Sequence, residues 1–62
     1  MISKGCLTRS RRYPQDIYLV ISDPWTERAT GAILVEVMAV APMKRQYDDT
    51  VYVGDLEVIS GV

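Results

Sequence analysis

Apolar positions alternate with a period of two in parts of the chain, weakly near the start and more clearly in Ala32–Ala41 and Thr50–Val53, the signature of half-buried β-strands. In Ala32–Ala41, Ile33, Val35 and Val37 fall on one face, with Leu34, Glu36 and Met38 on the other. Ala, Leu, Glu and Met also favour helices, but the β-branched residues and the closing Pro42 predict a long strand here. Asp16–Ser22 is a second strand: β-branched and aromatic, bounded by turn residues, and so continuously apolar that both faces should find cover. Gly5–Arg9 reads as a short first strand with Cys6 or Leu7 facing inward. Thr50–Val53 and Glu57–Ser60 read as the last two strands, separated by a tight turn or one turn of 3₁₀ helix at Gly54-Asp55-Leu56. Leu19, Val35, Val53 and Leu56 are the expected inward positions.

The connections are equally legible. Ser10–Gln15 is a loop in which Pro14 fixes its own φ and pushes Tyr13 toward an extended state. Asp23–Gly31 opens on a turn-favouring Asp-Pro and closes on a glycine that can supply positive φ. Pro42–Asp49 is a charged connection, with Asp48-Asp49 expected in a turn held by Asx hydrogen bonds. Four or five short strands without a convincing helix predict an all-β domain over residues 1–62, a small antiparallel barrel or strongly bent sheet.

Length limits what such a domain can do. Sixty-two residues bury one thin core, and scaffolds that need more than a hundred residues are excluded. The chain has no His, which removes imidazole acid–base chemistry, and one Cys, which removes intrachain disulfides and CxxC zinc sites. A thin core without disulfides implies a reducing compartment or an assembly that adds burial. Met1–Gln15 lacks the apolar core of a signal peptide, and no apolar run is long enough for a membrane span, so neither secretion nor a membrane partner is expected.

Charge is uneven along the chain. The net is −1, yet residues 1–15 hold Lys4, Arg9, Arg11 and Arg12 and no acid, while all eight acids fall later. This predicts a basic edge on an acidic body. A pI near 5.1 argues against a nucleic-acid footprint covering the whole domain.

Lys4-Gly5-Cys6-Leu7-Thr8-Arg9 resembles the opening of small SH3-like barrels, Ile17–Ile21 and Ile33–Met38 resemble their central strands, and Val51–Ile59 resembles their ending. The arrangement is similar to that of small proteins of tailed bacteriophages, cyanophages among them. The resemblance implies an SH3-like, partly open barrel and a phage origin, with the host cytoplasm or the virion as its location. It implies no activity, because the fold hosts many. KOW-type relatives carry a Gly-rich turn before the second strand. Here Tyr13-Pro14-Gln15-Asp16 stands there, which argues against a translation- or transcription-factor role.

Arg9, Arg11, Arg12 and Tyr13 form a basic–aromatic cluster suited to an acidic protein patch, or to phosphates and a stacked base. A solvated loop is the plain alternative. Trp25, the single Trp, is a lid over one end of the barrel or an interface anchor. Tyr13, Trp25, Tyr47 and Tyr52 would line a peptide groove if the fold gathers them. No nucleophile–base pair, phosphate-cradling loop or metal spacing occurs, so no catalytic residue, metal or cofactor is expected. The expected role is a non-enzymatic protein-interaction module, a virion accessory or a binder of a host protein, completed by a partner or by self-association. A nucleic-acid-binding accessory role for the basic arm is the alternative.

Overall fold

The computed structural model describes residues 2–46 and 48–60. Its strands are β1 (Leu7–Ser10), β2 (Ile17–Val20), β3 (Trp25–Thr26), β4 (Ile33–Ala41), β5 (Asp48–Tyr52) and β6 (Leu56–Ser60), with a 3₁₀ turn at Val53–Asp55. All pairings are antiparallel, in the order β3-β4-β2-β1-β6, with β5 on the other side of β4. β5 and β6 are not paired with each other, so the sheet curls into a half-barrel and stays open between them. Two register irregularities help the curl, one at Ile17/Tyr18 against β4 and one at Leu7/Thr8 against β6.

The concave side carries small or β-branched residues because a tightly curled sheet leaves its inner face little room. Cys6, Thr8 and Ser10 line it from the first strand and its approach, and Val35, Val37 and Ala39 from β4, all buried. The core cluster is Cys6, Val20, Val35, Val37 and Leu56, with Ile2, Tyr18, Val51 and Val53 packed against it. Thr8 is satisfied in this apolar setting because its hydroxyl donates to the Tyr18 carbonyl at 3.1 Å. An unpaired buried hydroxyl would cost about 1–3 kcal/mol.

Ile33–Ala41 is the long strand that alternation predicts, pairing with β2 through Val20↔Val37 and Leu19↔Met38. Val35 and Leu56 face the core as expected, and Val53 is partly buried. Cys6, not Leu7, faces inward, and the first strand runs Leu7–Ser10 rather than Gly5–Arg9, with Thr8 and Ser10 as its buried residues.

Leu19 does not face inward. It pairs with Leu7 and Met38 on the convex side and is half-buried, while its neighbours Tyr18 and Val20 face in. The register is therefore one residue from the expected one, and the apolar run finds only partial cover on its outer face. Asp48-Asp49 is also corrected: the two residues open β5 instead of forming a turn. Successive strand residues point apart, so half-buried Asp49 faces the lumen side and exposed Asp48 the solvent.

β3 lies inside the segment expected to be a plain connection. Asp23-Pro24 interrupts the path that runs on from β2, and Trp25-Thr26 then pairs again with the start of β4. Glu27 N–H donates to Ala32 C=O and Gly31 N–H to Glu27 C=O, both at 2.8 Å, closing the hairpin. Gly31 sits at φ +73°, where a side chain would be strained.

Candidate functional site

The loop after β1 is shaped by its backbone. Ser10 N–H donates to Asp16 C=O at 3.0 Å and Asp16 N–H to Tyr13 C=O at 2.8 Å, a four-residue turn with Pro14 at its favoured second position. Tyr13 N–H donates to Ser10 Oγ at 3.0 Å. Arg11 N–H donates to Asp55 C=O at 2.8 Å, fastening the loop to the 3₁₀ turn. The side chains of Arg11, Arg12 and Tyr13 are thus left exposed on a tied frame.

Beneath this loop the half-barrel opens into a cavity of about 160 Å³. Tyr18, Val51 and Leu56 form its apolar walls, Ser10 and Asp55 add polar groups, and Arg12 and Tyr13 border it from the loop. A smaller hollow of about 70 Å³ is lined by Asp16, Tyr18, Ala39 and Ala41 and by Pro42, Met43 and Arg45 of the next connection. Tyr18 lines both. Burial, then the nearby Asp16 carboxylate, raises its phenol above the ordinary value of 10.0. Arg45 pulls the other way, while Asp49 and Tyr13 add to the rise. Arg45 and Asp49 themselves form a half-exposed ion pair at 4.0 Å, worth little in stability.

The structure divides the residues singled out in the sequence. Arg12 and Tyr13 border the cavity, and Arg11 is exposed beside them. Arg9 is exposed on β1, opposite Ile17 and Glu57, on the convex side of the sheet. Trp25 stands opposite Leu34, and Leu34 opposite Tyr52, which makes a cross-strand row over β3, β4 and β5. Leu34 is 8% exposed between Trp25 at 40% and Tyr52 at 54%. That row faces away from Val35 and the lumen, so Trp25 is no lid, and neither it nor Tyr52 shares the cavity of Tyr13. Tyr47 lies outside the described residues. Sequence reasoning missed Tyr18, Ser10, Val51, Asp55 and Leu56 as cavity residues; they come from four separate segments and meet only through the curl.

Among the described residues no group of three or more His, Cys, Asp or Glu side chains is placed to hold a metal, and no helix is long and apolar enough to cross a membrane. No protein-family model matches the chain, and no curated protein or solved structure shows significant similarity to it.

Proposed function

We propose that the protein is a non-enzymatic interaction module that holds a partner protein at the mouth of its half-barrel. The observation that carries this reading is the cavity of about 160 Å³ with Arg12 and Tyr13 at its border. An apolar side chain of the partner enters between Tyr18, Val51 and Leu56, and an acidic group beside it meets Arg11 and Arg12. Arg and Tyr are the residue types that anchor such contacts. The resemblance to small phage barrels supports a role as a virion accessory or as a binder of a host protein.

Nucleic acid is the second reading, favoured by the exposure of Arg9, Arg11, Arg12 and Tyr13. The carboxylates weigh against it. Asp55 lines the same cavity as Arg12, and Asp16 and Asp49 stand near Tyr18. Phosphates brought to that mouth would meet like charge.

Selection from a random-peptide library, followed by titration of a synthesised hit, tests the proposal. Hits should carry Asp or Glu beside a large apolar residue. Arg11→Glu with Arg12→Glu should weaken binding by roughly tenfold or more while the unfolding midpoint stays put, because reversed charges repel at the same spot. Hits without acidic residues, or equal binding by the double variant, refute the proposal. Micromolar binding of DNA or RNA at about 150 mM salt, falling steeply with added salt, would favour nucleic acid instead.

A further inference from the structure

Two hydroxyl side chains are buried on the concave side, Thr8 at 0% and Ser10 at 7% exposure. The Thr8 hydroxyl donates to the Tyr18 carbonyl. Ser10 Oγ accepts the Tyr13 N–H at 3.0 Å, and among the described residues nothing accepts the Ser10 proton. That donor belongs to the cavity of about 160 Å³, which Ser10 lines together with Tyr18, Val51 and Leu56. An apolar cavity of about 150 Å³ is large enough for one benzene ring. Rings packed against rings gain more than their buried area alone provides, and Tyr13 and Tyr18 both belong to the lining.

We propose that the partner side chain received in this cavity is a tyrosine, whose phenol oxygen accepts from Ser10. This rests on the reading of the half-barrel mouth as a protein-binding site and names what enters it. An occupant that displaces water from Ser10 without replacing its hydrogen bond loses affinity. Leu, Ile, Val and Phe offer no acceptor, the Met thioether accepts only weakly, and the indole of Trp only donates. The phenol joins a ring-sized apolar body to an oxygen that both accepts and donates. Its own proton goes to Asp55, which lines the same cavity. A carboxylate brought to that depth would meet Asp55 as like charge, so the acidic group of the partner stays outside with Arg11 and Arg12.

Titration of the full chain with p-cresol and with toluene, the side chains of Tyr and Phe, followed by amide shifts in two-dimensional NMR, tests the selection. Burial alone ranks toluene first, because a phenol gives up water to enter an apolar site. The proposal reverses that order. p-Cresol should bind in the millimolar range expected of so small a ligand, and toluene roughly tenfold more weakly. The shifts should centre on Ser10, Val51 and Leu56. Ser10→Ala should erase the preference by weakening p-cresol and strengthening toluene, and toluene binding reports that the cavity survives the change. Asp55→Ala, on the exposed 3₁₀ turn, should weaken p-cresol without weakening toluene, and it keeps the test decisive if Ser10→Ala unfolds. Toluene binding as tightly as p-cresol, no binding of either, shifts centred elsewhere, or a preference that survives Ser10→Ala would overturn the proposal. Neither probe carries an acid, so phenol selection can fail while acidic peptides still bind, and can hold while they do not. The two readings therefore fall separately.

Discussion

Truncating Leu56 to alanine, beside the same change at Leu19, measures whether the concave face is the core. Full burial makes a Leu→Ala change cost about 2–5 kcal/mol, the spread reflecting how the site relaxes. Leu56 is 4% exposed but one side of it borders the open cavity. Part of the new void would join space that solvent already reaches, which places the loss at about 2–3 kcal/mol. A domain of 62 residues holds only about 3–9 kcal/mol in total. Its unfolding entropy, near 0.13 kcal/mol/K by the usual per-residue value, turns that loss into a Tm drop of about 15–23 °C. Leu19 lies half-buried on the convex side, so the same truncation there should cost about 1 kcal/mol or less and under about 8 °C. Thermal and urea unfolding by far-UV circular dichroism, at one low concentration, give both numbers. An equal or larger loss at Leu19 would refute the assignment of faces, whatever the absolute values.

Tyr18 should ionise later than the other tyrosines in an absorbance titration at high pH, and Tyr18→Phe should remove the late component. Its pKa is raised in the folded chain, so its stabilising contribution is intact below pH 10 and is lost as pH climbs through the folded value; urea midpoints that fail to fall faster in wild type than in Tyr18→Phe above pH 10 would contradict this. Gly31→Ala should cost about 1 kcal/mol from φ strain alone, since nothing lies within 4 Å of the added methyl, and Gly31→Asn should cost less in the same unfolding assay.

Much of the sheet was legible because alternation survives in it. Val35 and Val37 could be read as one face because Glu36 separates them, and Pro42 marks where β4 gives way. Asp16–Ser22 offered no such contrast. An unbroken apolar run states that a strand exists but not which face is in, and the choice at Leu19 turned on its pairing with Leu7 and Met38. Trp25-Thr26 was invisible as a strand because two residues carry no period and Pro24 reads as a turn. The cavity was half legible: the Arg12-Tyr13 cluster stood out by composition. Tyr18 read as one more strand residue, and Val51, Asp55 and Leu56 come near Ser10 only through the fold's closure. Trp25 and Tyr13 parted for a related reason, since register decides which face of a sheet each aromatic reaches.

The loop that carries Arg11, Arg12 and Tyr13 is held almost wholly by main-chain groups: Ser10 to Asp16, Asp16 to Tyr13, and Arg11 to Asp55. Peptide N–H and C=O groups are the same whatever side chain they bear. The loop's shape is therefore nearly independent of the residues it displays at positions 11, 12 and 13, apart from the acceptor that Ser10 provides. Selection can rewrite those three letters without rebuilding the scaffold. In a lineage pressed to follow a changing partner, recognition could drift quickly while the barrel stays as it is, and a combinatorial library at these positions would inherit the same freedom.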